Sequence, residues 1–485
     1  MTNDFHKLNI ATQRRVFLQN SSTTIGAMAL ASLMNPRAIG ENALGDNGLA
    51  VPGAMKQLHF APKAKRIIYL FMSGAPSQLD LFDPKPTLIE MTGKDLPESV
   101  RLGQRITTMT SGQKNLFCVG SPFKFQKYGN TQMDVSELLP NLSKIVDECT
   151  FVRSMNTDPI NHDPAVTFFA TGNQQPGRPT MGAWLAYGLG SENQDLPSFV
   201  VLTSGGGGQT LQTRYWGNGF LPAQYGGVQF RNAGDPVLFV SNPPGVSSNT
   251  RKELLNATNE LNQLALGDLG DPAISAQIAN YELAFRMQSS VPELTDLSQE
   301  SSKTLELYGA TPGKPSFANN CLLARRLAER GVTFIQLCHR DWDHHGGLPK
   351  GLPTKCAETD QASAALILDL KQRGLLDDTI VVWGGEFGRT AYSQGDIKPD
   401  NFGRDHHPRC FTIWMAGGGL RRGYIHGETD EFGYNITRDP VHVHDLHATL
   451  LHQLGISHKK LIYRHEGRDY RLTDVSGNVI QPLLS

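Results

Sequence analysis

The sequence has no basic run, no C-x-x-C pair and no apolar stretch long enough to span a bilayer, and each absence removes a class of function. Lys and Arg number 45 against 46 Asp and Glu, a net charge of −1 over 485 residues. No polyanion-binding surface follows from that balance, and nucleic acid is not expected as a partner. The six cysteines, Cys118, Cys149, Cys321, Cys338, Cys356 and Cys410, are spaced unlike a zinc ribbon or a thioredoxin-like site. An oxidising compartment would permit a disulfide among them, in pairings that sequence alone does not specify. The early apolar stretch Ile25 to Met34 is about half the ~20 residues needed to cross a membrane, so no permanent span is expected. Gly205 to Gly208 is not followed by Gly-Lys-Ser/Thr. It is therefore no phosphate loop, and a lid or an irregular turn is the expected role.

What remains is the composition of a globular, enzyme-sized protein, 39% hydrophobic and 19% charged. Thr12 to Leu18, TQRRVFL, followed by the short apolar stretch, has the form of a twin-arginine export signal. Residues 1–40 are expected to be that signal segment and 41–64 a Gly/Pro/Asn-rich linker. Residues 65–485 form the main domain, with a polar helical insertion at about 247–307. The partner implied is the twin-arginine export machinery, and the destination is the periplasm or cell envelope.

The chain is organised around Val332 to His345, VTFIQLCHRDWDHH, an apolar strand running into a burst of charge. Strands without polar alternation are covered on both faces, as in a parallel sheet flanked by helices. Further strands are expected at Lys65 to Met72, Thr150 to Ser154, Leu196 to Thr203, Asp378 to Trp383 and Cys410 to Met415. Helices are expected at Val135 to Glu148, Phe317 to Arg330, Ala357 to Arg373 and Val443 to Leu454, and a short hairpin in the tail. This alternation predicts an α/β fold with a mostly parallel central sheet and helices on both faces. Chemistry in such sheets lies beyond the carboxyl ends of the strands. Asp341 and His345 are four apart, a spacing that lets carboxylate and imidazole share one cation from the same side of a helical turn. Glu386 follows another strand, and His406 or His407 precedes a third, the distance to the next glycine turn favouring His406. Oxygen and imidazole donors without thiolate suit Zn, Mn or a similar divalent ion and hydrolysis of a charged ester. Arg153, Arg340, Arg389 and Arg404 are candidate clamps for its oxyanions.

The strand with D-x-x-x-H, the G-E-F-G at Gly385 to Gly388, the His-His-Pro before a strand ending in glycines, and VHDLHATLLHQLGI resemble the sulfatase branch of the alkaline phosphatase superfamily. MSGAPSQLDLFDPKP, NHDPAVTFFATG, VVWGGEFGRT, GRDHHPRCFTIWMAGGG and EGRDYRLTD more closely resemble the exported bacterial family catalogued as domain of unknown function 1501. The likeness covers almost everything after Lys65. It implies an alkaline-phosphatase-like fold, a divalent metal (Zn, Mn, Mg or Ca) and hydrolysis of sulfate or phosphate esters, of small molecules or polysaccharides. Counting ten back from Gly172 places His162 where sulfatases carry a cysteine or serine, with Pro164 matching and Val166 replacing an arginine. No formylglycine can form there. His162 is thus a candidate nucleophile, general base or additional ligand. Glu386 is a candidate to support the metal or activate water, and Asn161 joins Arg153, Arg389 and Arg404 on the substrate side. The second metal position of the superfamily is weaker, since its acid/imidazole pair has become Glu386 and Phe387. The competing expectation is a degenerate member that keeps the fold but serves as a binding or envelope-assembly protein.

Overall fold

Every residue from Arg66 to Met72 is buried, the pattern of a strand covered on both faces, and this strand, β1, lies in the interior of the sheet. The structure is a computed structural model that describes residues 53–485, apart from 209, 232–235, 238–241, 243–244, 270–271 and 399–400. The expected export signal lies outside the described residues, as does the first part of the expected linker. From Ala54 to Ala64 the chain is fastened to the body: the N–H groups of Ala54, His59 and Lys63 donate to the carbonyls of Tyr187, Gly455 and Gln453.

The central sheet is built from β1, β2 (Cys149–Asn156), β3 (Phe199–Ser204), β4 (Val228–Phe230), β5 (Phe334–His339) and β6 (Thr379–Gly384). Two later strands, β7 (Gly388–Ser393) and β8 (Arg404–His407), form a separate antiparallel pair above its edge. The sheet is completed by β9 (Phe411–Ala416), β10 (Tyr424–His426) and β11 (Val441–His442). The order across it is β10-β2-β9-β6-β1-β5-β3-β4, with β11 also on β2. Within this sheet, among the described residues, only β9 runs against its neighbours.

Because side chains alternate along a strand, β1 divides the core in two. Ile68, Leu70 and Met72 pack with Leu322 of α5 (Phe317–Glu329) and Leu366 and Ile367 of α6 (Leu348–Gln372). Ile67, Tyr69 and Phe71 pack with Phe169 of α1 (His162–Thr171), Trp184 of α2 (Met181–Leu189) and Leu450 of α7 (Val443–Gln453). The expected mostly parallel α/β sheet with helices on both faces is the fold observed. Between α2 and α5, helices α3 (Ser248–Leu269) and α4 (Pro272–Thr295) lie against one another. The tail forms the expected hairpin, Tyr463–His465 against Arg468–Tyr470.

One expected element is absent. Val135 to Glu148 is not a helix but the end of a hairpin, Phe125–Tyr128 with Met133–Ser136, followed by two single 3-10 turns at Leu142–Lys144 and Val146–Glu148. Pro140 interrupts the segment. The Asp360 carboxylate of α6 takes the N–H groups of Asn141 at 2.8 Å and Leu142 at 2.9 Å, which a continuous helix would have used internally. All six cysteines are buried free thiols. Among the described residues no helix is long and apolar enough to cross a membrane.

Candidate metal centre

At the carboxyl edge of β1, β5 and β6 the chain brings together His162, Asp343, His345 and His406, one ligand atom of each lying within 4.8 Å of the others. Each arrives by a different local device. His162 is the first residue of α1, which carries Pro164 in its first turn and ends at Gly172 with φ +69°. Asp343 and His345 belong to the loop after β5. Here the expectation of a helical turn fails: no helix begins before Leu348, and Asp341 has φ +78°. In this irregular loop Trp342 turns inward, fully buried, while Asp343 and His345 point together. Asp343, not Asp341, supplies the carboxylate. His406 lies on β8, where alternation sends His406 into the cluster and His407 away from it.

Glycines allow these segments to meet. A Cβ at Gly74, where φ is +108°, would stand 2.7 Å from the Asp343 nitrogen; one at Gly403 would stand 2.0 Å from the His345 carbonyl carbon. Any side chain at either position would push the ligand loop outward.

The three imidazoles are oriented alike. Nδ1 of His162 lies 2.5 Å from Glu386 Oε1, Nδ1 of His406 lies 2.9 Å from the Ile160 carbonyl, and Nδ1 of His345 meets Gln394 Oε1. An oxygen acceptor at Nδ1 fixes the neutral ring with its N–H there and leaves Nε2 bare, the tautomer that ligates a metal. The bare atoms then converge. His345 Nε2 lies 3.0 Å from His406 Nε2 and 2.8 Å from Asp343 Oδ1. His162 Nε2 lies 3.2 Å from Asp343 Oδ2, and buried to 5% exposure it has no hydrogen-bond partner of good geometry. Lone pairs this close repel one another unless a positive charge lies among them. A proton or a metal ion meets that need, so the residues fit a cation.

The electrostatics agree. Burial alone would raise the Asp343 carboxyl, but the close imidazoles of His162, His345 and His406, with the Arg389 charge, hold it far below the usual carboxylate range. Burial pushes the His406 imidazole down to about 4, against the upward pull of Asp343. For His162 the same burial is outweighed by Asp343 and Glu386, and its pKa is raised. Phe387 closes the apolar side of the cluster, its ring centroid 4.8 Å from that of His162 and 4.7 Å from that of His406.

The other expected site residues divide into supports and bystanders. Glu386 is fully buried and accepts from the Gly74 N–H at 3.0 Å as well as facing His162, so it orients a ring and has no open path to solvent water. Arg389, 1% exposed, donates to Asp343 Oδ1 at 2.6 Å, to the carbonyls of Ala75 and Arg404, and to that of Gly74. Its charge is spent on the cluster. Arg404 is no substrate clamp: fully buried, it pairs with Asp80 at 2.7 Å and donates to the Thr390 carbonyl. Arg153 pairs at 3.4 Å with Asp134 of the 125–136 hairpin, and Arg340 donates its backbone N–H to the Ser204 carbonyl. Asn161, exposed at the N-cap of α1, makes no side-chain capping bond. Asp341 faces Lys355 at 3.7 Å instead of the cluster. His407 Nε2 meets the Tyr434 carbonyl at 2.7 Å and its ring stacks on Tyr434.

Sequence reasoning missed Asp343 as a ligand and Gln394 and the Ile160 carbonyl as orienting acceptors. Alternation counted back from His345, with Trp342 inward, would have added Asp343 as a candidate beside Asp341; nothing in the sequence marks the other two.

Fold and cluster together define an α/β protein with a His/Asp cation-type centre at the carboxyl edge of its sheet. The chain belongs to the family described as Protein of unknown function (DUF1501), matched over residues 64–484. Similar solved structures include a sulfatase, PsFucS1, from Pseudoalteromonas sp., at 12% identity and TM-score 0.33, covering 81% of this chain and 68% of that one. A phosphonate monoester hydrolase from Silicibacter pomeroyi has 12% identity and TM-score 0.31, covering 71% of each chain. The lipoteichoic acid synthase LtaP from Listeria monocytogenes has 11% identity and TM-score 0.31, covering 85% and 76%. At these levels the likeness carries no argument about activity. No curated protein matches the sequence at a significant level.

Proposed function

We propose that the protein is a metal-dependent hydrolase of sulfate or phosphate esters, exported to the periplasm or cell envelope through the twin-arginine pathway. The observation that carries the catalytic part is the convergence of three Nε2 atoms and one carboxylate, each ring backed by an oxygen at Nδ1. His162, Asp343, His345 and His406 would hold the ion. A nitrogen-rich set of this kind suits Zn or Mn better than Mg or Ca, which prefer all-oxygen shells. Bound there, a divalent cation supplies Lewis-acid polarisation of an ester oxygen and a lowered pKa for water.

The chain's own residues do the positioning. Glu386, Gln394 and the Ile160 carbonyl hold the rings, Arg389 balances Asp343, and Phe387 keeps water from one side. With histidine at position 162, the register that gives sulfatases their nucleophile offers no hydroxyl or thiol, which supports attack by water on a small-molecule or polysaccharide ester. Export rests on TQRRVFL and the short apolar stretch that follows it.

The same missing hydroxyl supports a second reading, a binding or envelope-assembly protein that keeps the fold without the reaction. Arg389 and Arg404 are also both engaged by internal carboxylates. Metal analysis of the purified protein and of His345→Ala separates the two, together with turnover of aryl sulfates and aryl phosphates. Metal retained by the wild type, lost with His345→Ala and accompanied by turnover is the expected result. Metal-free protein without turnover would leave the binding reading.

A further inference from the structure

A second polar arrangement lies one strand away, on the α5/α6 side of the same edge. Ser204 ends β3 and is the register partner of His339, which ends β5. Their side chains therefore leave the sheet on the same face, and Ser204 Oγ lies 2.9 Å from His339 Nδ1. The other nitrogen, Nε2, lies 2.8 Å from Glu358 Oε2 on α6. Lys355, one turn earlier, holds the same carboxylate oxygen at 2.8 Å. The bond with His339 holds the Glu358 carboxyl down at about 2, against the opposing effect of its partial burial, with Lys355 assisting. An ionised carboxylate only accepts, so the His339 proton is on Nε2. Nδ1 is then bare, and the Ser204 hydroxyl donates to it.

His339 is 2% exposed and boxed by Phe317, with ring centroids 5.2 Å apart, so the ring is fixed. Ser204 is only half-buried, and the chain after it is Gly205 to Gly208, all exposed, with left-handed φ at 205, 207 and 208. Ser204 Oγ thus opens onto an exposed glycine turn, along which a Cβ at Gly207 would stand 3.4 Å from the Asp341 carboxylate.

We infer that Ser204, His339 and Glu358 form a second reaction centre, separate from the metal cluster, in which Ser204 Oγ is a nucleophile toward small carboxylic esters. Ser204 and His339 are the catalytic residues, and Glu358 is a positioning residue. In the first half-reaction the Oγ–C bond forms, and the Ser204 proton passes to His339 Nδ1. The C–O bond to the alcohol then breaks, and the leaving alkoxide takes that proton. Water repeats the sequence on the acyl-serine, releasing the acid and restoring Ser204. The pairing is the mirror of the serine-protease triad, where Nε2 serves the serine and Nδ1 the carboxylate. It needs no oxidant and no metal.

The test is labelling of the full chain by a fluorophosphonate probe, located by peptide mass spectrometry, before and after metal chelation. One adduct on Ser204, insensitive to chelation and absent in Ser204→Ala, is the expected result. A fall of about 10² to 10⁴ in labelling rate for His339→Gln is also expected, the usual worth of a general base. Glu358→Gln, on a partly exposed carboxylate, tests the positioning role without disturbing the core: it should slow labelling and shift its pH profile. Folded wild-type protein with no adduct on Ser204 overturns the proposal, whatever the variants do. An adduct formed as fast in a folded His339→Gln overturns the relay. Loss of Ser204 labelling on chelation would assign Ser204 to the metal centre instead.

Discussion

Asp341 and Asp343 leave the same strand two residues apart and end in opposite kinds of surroundings. Asp343 enters a cluster whose nearest groups are three imidazoles with bare nitrogens; its one full positive charge, Arg389, reaches a single oxygen. Asp341 turns toward Lys355, which also holds Glu358, and through Glu358 the chain of bonds runs to His339 and Ser204. On one side electron pairs accumulate faster than protons can satisfy them. On the other an ammonium closes the balance and the remaining proton is lined up along a relay. A carboxylate beside a strand end is therefore no guide to metal binding by itself; what decides is whether a lysine faces it or, as at Asp343, several imidazoles beside a single guanidinium.

The sharpest way to break this contrast is to neutralise each aspartate in turn. Asp343→Asn is expected to lower metal affinity by ~10³-fold, beyond the 10–100-fold typical of outer partners, because a charged ligand is removed. Asp341→Asn should leave metal content unchanged. Isothermal titration with Zn²⁺ reads both, and equal losses would abolish the distinction between the two sides. Next in size is Glu386→Gln, which keeps the shape but loses the anion behind His162. A drop of roughly 10–100-fold in affinity is expected, with the unfolding midpoint of the metal-free protein serving as the control for packing.

The fold was readable from the sequence because its signal is local and repeated. Apolar runs without alternation at Ile67 to Met72 and Ile380 to Trp383 require cover on both faces, whichever residues provide it. The site was readable only in its histidines. His345 and His406 stand at strand ends, and His162 was found through its register with Gly172, but the aspartate was misassigned by assuming a helical period in an irregular loop where no helix begins before Leu348. Arg404 was misassigned for a different reason: its partner, Asp80, is more than 300 positions away, and no local feature separates a buried ion pair from a substrate clamp. The Ser204–His339 pair was equally silent, since it depends on the register of two strands whose separation in sequence carries no chemistry.

Histidines sealed from any cation provide the baseline for the cluster. His447 is fully buried, with Nε2 2.8 Å from the Phe169 carbonyl, and burial pushes its pKa down to about 3, with His444 adding to the drop. The unfolded chain takes up this proton near 6.5 and the folded one only near 3. Stability is thus full above about pH 6.5 and falls as pH drops toward 3, by ~1.4 kcal/mol per unit from this group. Between pH 6.5 and 5 the wild type should lose about 2 kcal/mol that His447→Gln does not, measured by urea unfolding. An identical pH slope in both proteins would remove His447 as the source.

The smallest effect probes the other half of the comparison. Lys355→Gln removes the ammonium that closes the Asp341 side while leaving Asp341, Glu358 and His339 in place. The stability cost should be modest, below about 1 kcal/mol, because Glu358 is 40% exposed and Asp341 43% exposed in their side chains, and solvent screens both pairs. What should appear is affinity for a divalent ion that the wild type lacks there: two carboxylates and an imidazole without their cation become a weak site. Titration of the Asp343→Asn, Lys355→Gln double variant isolates it from the main cluster. If that protein binds no ion while remaining folded, the lysine is not what keeps this side of the sheet free of metal, and the difference between the two aspartates must lie in the number of imidazoles alone.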